Sequence, residues 1–222
     1  MLGFGRDTIK ESGVSKERIW NKVEFLTNTL DKIFIQDSMK LHNYSEFENT
    51  LNFMIKRKII YLDNDFVKYE TPNNKSNGLL FLCNLIWPLI DTFWVTLVFI
   101  YTLYPTNKIE VSQVPSKIQW FAESLYEENI VLHYESCSQE IINHAVKHFL
   151  KNGIIVTEEV KAETGDSNVI GLSKRYQENE DLIQEEFDKL SFFKKLSLVK
   201  FSNLKTDIQK TMISNFFMMA NL

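Results

Sequence analysis

Helix breakers are scarce in this chain. Seven glycines and four prolines in 222 residues leave little room for low-complexity linker, so most of the chain is expected to fold. Thiols are scarcer still. The two cysteines, Cys83 and Cys137, are too few for a disulfide framework and stand in no metal-type spacing, so reduced thiols in a cytosol-facing compartment are expected. Basic residues are not in excess: 25 Lys and Arg against 29 Asp and Glu give a net charge of -4. That balance argues against affinity built on neutralising many phosphates. No GxGxxG, phosphate loop or GxSxG elbow occurs, so nucleotide-dependent and serine-hydrolase chemistry find no support. The opening segment MLGFGRDTIKESG lacks the continuous apolar core of a secretory signal and is too acidic and too poor in Arg for a transit peptide. No export is expected.

What the chain does have is one long apolar run. GLLFLCNLIWPLIDTFWVTLVFIYTLY, residues 78–104, carries from Leu79 onward a single formal charge, Asp91, and one helix breaker, Pro88. A membrane span needs about 20 mostly apolar residues, and 79–104 satisfies that length. A soluble core helix covered on every side looks the same, and Trp87, Phe93, Trp94, Phe99 and Tyr101 surround the helix as such an element requires. Periodicity leaves both readings open. Asp91 weighs toward protein burial, because a carboxylate near mid-bilayer costs a few kcal/mol unless it is paired.

Around this run the periodicities define smaller elements. Ser15 is a plausible N-cap for a helix with Ile19, Val23, Leu26, Leu30 and Ile33 on one stripe. Ser45 to Glu48 reads as a capping box for a second helix carrying Phe47, Leu51, Met54 and Ile55. KIIYLDNDFVKYE reads as a hairpin turning at Asp63 and Asn64, and TPNNKSNG as a polar loop before the run. After the run, Pro105 stops the helix and Pro115 opens another with Ile118, Phe121, Ala122 and Leu125 on one face. IVLHY is strand-like. Ser136 to Gln139 is cap-like ahead of a helix whose stripe is Ile141, Ile142, Ala145, Val146, Phe149 and Leu150, closed by Gly153. GIIVTEEV and NVIGLS then flank TGDS as a second hairpin.

The expected fold is therefore mainly α, of the α+β class: a helical domain with two small β-hairpins in winged-helix-like units around a central apolar helix. Residues 1–178 form that domain. Residues 179–222 read as an amphipathic helical tail, with Phe192, Leu196 and Val199 opposite Lys194, Lys195 and Lys200. Such a tail either docks on the domain or meets a membrane surface through its cations.

Little catalytic chemistry is legible. His144 and His148 have the four-residue spacing of zinc ligands, but Ala145 stands where a metalloprotease motif places Glu. They are expected at the solvent edge, with no metal. Glu158, Glu159 and Glu163 on the second hairpin would repel phosphates, so no nucleic acid is expected despite the winged-helix pattern.

The string L-x-x-L-I-W-P-L-I-D-T-F-W, residues 82–94, resembles the Pro-aliphatic-aliphatic-acid-small-aromatic-Trp signature in the C-terminal region of glycerol-3-phosphate and dihydroxyacetone-phosphate acyltransferases. SKERIWNKVEFL before it and HAVKHFLKNGIIV after it resemble the flanking helices of the same region, and order and spacing agree over roughly residues 12 to 160. The resemblance implies an acyltransferase C-terminal-like domain over 1–178. Its parent reaction passes a fatty acyl chain from acyl-CoA to glycerol-3-phosphate, opening glycerolipid and phospholipid synthesis. It also implies association with a mitochondrial outer, endoplasmic reticulum or peroxisomal membrane on its cytosolic side. The family's catalytic His-x-x-x-x-Asp motif is absent: no Asp stands five residues after His42, His133, His144 or His148. Neither is there a Glu-Gly-Thr-Arg-like phosphate block. The chain is thus expected to be inactive alone, with no catalytic residue, metal or cofactor of its own (acyl-CoA being the parent enzyme's substrate). Its expected role is to buttress a catalytic domain in the same gene or a partner chain, with Asp91 a buried structural carboxylate.

Overall fold

The computed structural model describes residues 4, 9, 11–30, 43–69, 77–162 and 165–193. Among them the chain forms seven α-helices and two antiparallel three-stranded sheets, the expected mainly helical class.

The first unit begins with β1 (Val14–Ser15) and α1 (Lys16–Leu30). The Ser15 hydroxyl accepts from the Arg18 amide at 3.4 Å, as a helix cap does. Ile19, Val23 and Leu26 are half-buried and Leu30 is buried; Ile33 lies outside the described residues. Next comes α2 (Tyr44–Lys56), capped not by Ser45 but by Asn43, whose side chain accepts from the Glu46 amide at 3.0 Å. Asn43 reaches the free amides two residues earlier, which leaves Ser45 and Glu48 exposed on the helix instead of closing a capping box. Phe47 and Leu51 point into a core with Val14, Ile60, Val67 and Tyr69.

β2 (Tyr61–Asp63) and β3 (Phe66–Lys68) form the first hairpin, and Asn64 takes the left-handed conformation, φ 53°, that a tight turn demands. β1 adds to the far side of β3, so the hairpin is a three-stranded sheet in the order β1-β3-β2. A two-residue strand carries no alternation to read, which is why the sequence showed only two strands.

The apolar run forms α3 (Asn77–Tyr101) with Pro88 inside it. The missing proline N–H leaves the carbonyl four residues back, on Asn84, without its helical partner; Asn84 is exposed, so water can serve it. Asn77 and Gly78 join the helix instead of the expected polar loop, whose residues 71–76 lie outside the described residues.

The second unit repeats the first. β4 (Lys108–Glu110) leads through a 3-10 turn into α4 (Val114–Glu127), which has Pro115 in its first turn and Ile118, Phe121, Ala122 and Leu125 all buried. IVLHY is not a strand. The Ile130 and Val131 amides both bond the Leu125 carbonyl, closing α4, and the chain passes through a 3-10 turn, Tyr134–Cys137, into α5 (Gln139–Lys151). Ile142, Ala145, Val146 and Phe149 are buried, with Ile141 and Leu150 partly so. Gly153 follows at φ 67°. β5 (Ile155–Ala162) and β6 (Gly165–Leu172) pair from Ile155↔Leu172 to Ala162↔Gly165. Gly165 to Ser167 of TGDS therefore belong to the strand, because the register set by Ile155 and Leu172 carries pairing that far. β4 adds to β6, giving the order β4-β6-β5.

Both units thus run strand, helix, helix, strand, strand with the last strand central. α1 joins them. Its Ile19, Trp20 and Val23 pack into the first core, and its Phe25, Leu26 and Leu30 pack around α3. A short α6 (Lys174–Gln177) and α7 (Glu180–Ser191) follow, and α7 lies along α3.

Two glycines set the tolerance of the backbone. At Gly153 a β-carbon would meet nothing within 4 Å, so Gly153→Ala should cost only the left-handed penalty of about 1 kcal/mol. At Gly13, φ 75°, it would fall 2.9 Å from both Lys68 Cγ and Phe66 Cβ. Urea unfolding should show Gly13→Ala as clearly the more destabilising; equal losses would contradict the β1–β3 contact.

Candidate functional site

Residues of the run's signature are core residues. Trp87, Pro88, Ile90 and every residue from Asp91 to Ile100 are buried, in contact on different sides with α1, α4, α5, α7 and the 3-10 turn at Tyr134–Cys137. α3 is the one helix among the described residues long and apolar enough to cross a membrane. Its buried stretch is covered by protein.

A carboxylate in such a place needs partners. Asp91 is 3% exposed, and its Oδ2 lies 3.5 Å from His133 Nδ1. The two side chains make a mostly buried contact. Next to it the Thr92 hydroxyl lies 2.9 Å from the Pro88 carbonyl and 3.0 Å from the Ser136 carbonyl, tying α3 to the 3-10 turn. On the opposite side, Trp94 Nε1 donates to Ser191 Oγ at 3.2 Å, Trp87 Nε1 donates to the Phe193 carbonyl at 3.1 Å, and the Tyr101 hydroxyl bonds Glu180. The polar atoms of α3 therefore act as clasps between helices.

Asp91, His133 and Ser136 are the residue types of an acyl-transfer triad. They do not form one here. Ser136 is fully buried and its Oγ makes no hydrogen bond among the described residues, so it lacks both the contact to a base and the access to substrate that a nucleophile needs. Cys137 beside it is buried, and burial, reinforced by Glu123, pushes its thiol from an ordinary 9.0 up to about 11. That holds it as the unreactive thiol. His144 and His148 stay apart from this cluster: His148 meets Asn152 at 2.8 Å through Nε2 and packs edge-on against Phe93. Among the described residues no three His, Cys, Asp or Glu are close enough to hold a metal ion. Lys194, Lys195 and Lys200 lie outside the described residues.

The pairing of Asp91 with His133 is the contact that the sequence concealed. The two are 42 positions apart, and His133 sits in a bend that reads as a strand. The signature around Asp91 is nevertheless what places the chain among known proteins. Residues 6–158 match the family described as glycerol-3-phosphate acyltransferase C-terminal region. The chain belongs to that family. No curated protein matches the chain. The match runs from before β1 to the middle of β5, so the first unit, the whole of α3 and the second unit as far as α5 fall within the acyltransferase C-terminal region, while β6 lies beyond it.

Removing the carboxylate should unfold more than it should disarm. Asp91→Ala strands His133 and leaves a gap, and is expected to cost about 3 kcal/mol in urea unfolding, whereas Asp91→Asn, which keeps the shape, should cost less than half of that. Equal effects would show that the lost charge, and not the gap, sets the cost. In thiol labelling at pH 8, neither Cys83 nor Cys137, both buried, should react in the native protein, and both should react in denaturant. Because the folded thiol of Cys137 titrates above the unfolded one, stability is unaffected below pH 9 and falls as pH rises toward about 11.

Proposed function

We propose that this chain is the non-catalytic, buttressing part of a glycerol-3-phosphate acyltransferase-like protein. The parent reaction moves a fatty acyl chain from acyl-CoA to glycerol-3-phosphate in glycerolipid synthesis. In this reading the catalytic His-x-x-x-x-Asp domain is supplied in the same polypeptide or as a partner chain, and this domain holds it on the cytosolic side of a membrane. Lys194, Lys195 and Lys200 face the lipid. One observation carries the reading: the residues of the family signature, from Trp87 to Trp94, lie in the core, where they set stability and shape.

The second reading, a single-pass protein spanning at 79–104, draws on the length and apolarity of α3. Against it stand the protein cover over Asp91 to Ile100 and the clasp of Asp91 to His133. Alkaline carbonate extraction separates the two, with release of folded, helical chain expected and retention in the membrane pellet favouring the span.

The purified chain, given labelled acyl-CoA and glycerol-3-phosphate, should form no acylated product. An acyltransferase catalytic domain carrying the His-x-x-x-x-Asp motif, expressed separately, should co-purify with it and inactivate more slowly on heating. Turnover by the chain alone would overturn the proposal, as would failure of the two to associate.

A further inference from the structure

The C-terminal end of α2 presents cations that the fold does not use. From Asn49 to Leu62 the sequence NTLNFMIKRKIIYL contains Lys56, Arg57 and Lys58 and no acid. All three are exposed, and none has an acidic partner among the described residues. The acids that follow are engaged elsewhere, Asp63 with Lys68 at 2.7 Å and Asp65 with Lys16 at 3.8 Å. Glu46 and Glu48, near the start of the helix, stand about 12 Å or more along its axis before Lys56, beyond the screening length of about 8 Å.

Cations in a last turn often serve the helix by meeting its free carbonyls. Here the backbone has already met them: the Arg57 amide bonds the Phe53 carbonyl at 3.0 Å, the Lys58 amide that of Ile55 at 2.9 Å and the Ile59 amide that of Met54 at 3.0 Å. Lys58, at φ 54°, stands beyond the helix where the chain turns away. Capping therefore does not account for the three charges. An apolar residue shares their surface. Phe53 is 55% exposed, and the Arg57 guanidinium stands 5.2 Å over its ring. Phe53, Lys56 and Arg57, three and four residues apart, occupy one face of the helix. Asn52 beside them is exposed too, so nothing among the described residues covers this end.

Charge decides the class of occupant. On a chain of net charge -4 this patch is cationic, and its complement is an anionic surface. A nucleic acid is poorly served, because such binding neutralises about six to ten phosphates and three cations fall short of that. A single bound phosphate is poorly served as well, since this helix end offers carbonyls and not the amides that cradle an anion. An anionic bilayer uses what is present: an aromatic ring for the headgroup and acyl boundary, and Lys and Arg for the lipid phosphates around it. We infer that the C-terminal end of α2 is an anionic-lipid contact site, with Phe53 in the interface and Lys56, Arg57 and Lys58 at phosphate level. The site rests on the membrane half of the proposed function and adds to it an element of the first unit.

The test is co-sedimentation of the full chain with vesicles of phosphatidylcholine alone and with about 30% phosphatidylserine. The unchanged protein is compared with Phe53→Ser, with Lys56→Gln/Arg57→Gln/Lys58→Gln and, as a control of equal charge, with Lys147→Gln/Lys151→Gln/Lys174→Gln, three lysines exposed elsewhere. Every substituted side chain is exposed, so folding is retained, which circular dichroism and the urea midpoint check. Binding is expected on the serine-lipid vesicles only, weaker by about tenfold or more in the Lys56/Arg57/Lys58 variant, severalfold weaker in Phe53→Ser and unchanged in the control. Asn49→Cys, one turn before Phe53 on the same face, carries an environment-sensitive fluorophore, the native cysteines being buried. Its emission should shift to the blue on the anionic vesicles. If both patch variants bind like the unchanged protein and the probe does not shift, or if the control loses as much binding as they do, the α2 site is wrong and the membrane half of the proposed function stands. A probe that shifts with soluble polyglutamate and not with vesicles assigns the surface to an acidic protein and also overturns the lipid site. If no protein binds either vesicle, the site and the membrane half of the proposed function both fail.

Discussion

Everything else in this structure depends on keeping water and lipid away from the middle of α3. A helix of 25 residues whose apolar side chains point in every direction cannot rest on one neighbour; it must be wrapped. Here α4, α5 and the 3-10 turn close one side, and α1 and α7 close the other. Several polar groups that the wrapping removes from water meet protein: Asp91 lies 3.5 Å from His133, the Thr92 hydroxyl bonds backbone carbonyls, and two indole N–H groups bond α7 and its exit. Burial supplies the bulk of the free energy, and the polar clasps fix which helix lies where.

The two strand-helix-helix-strand-strand units precede and follow that axis in the chain with the same order of elements, and the third strand is central in each sheet. Such units are familiar as nucleic-acid readers, yet fold does not decide function. The second hairpin presents Glu158 and Glu159 to solvent, and Lys108 is held by Glu158. The second unit packs on α3 through α4, α5 and the 3-10 turn, and the first unit meets it through α1.

Legibility in the sequence followed the size of the hydrophobic signal. The stripes Ile118-Phe121-Ala122-Leu125 and Ile142-Ala145-Val146-Phe149 run over about two turns each and mark their helices and buried faces directly. Gly153 and Asn64 mark turns because left-handed backbone demands such residues. Strands of two and three residues, Val14–Ser15 and Lys108–Glu110, leave no pattern and are defined only by partners more than fifty positions away. IVLHY shows the converse error: β-prone residues that close a helix instead of pairing, since Ile130 and Val131 spend their amides on Leu125. The partner of Asp91 was hidden for the same reason as the short strands, being a long-range contact from an irregular segment. The carboxylate itself was conspicuous, as any single charge in a long apolar run is.

The central claim is that α3 is the protein-covered axis of a domain stable without lipid, and native-state hydrogen exchange in detergent-free buffer tests it most directly. Amides from Asp91 to Ile100 should exchange only through global unfolding, with the slowest rates in the chain and with protection that falls in step with urea stability. Exchange of those amides within minutes, or protection that appears only when lipid or detergent is added, would contradict it.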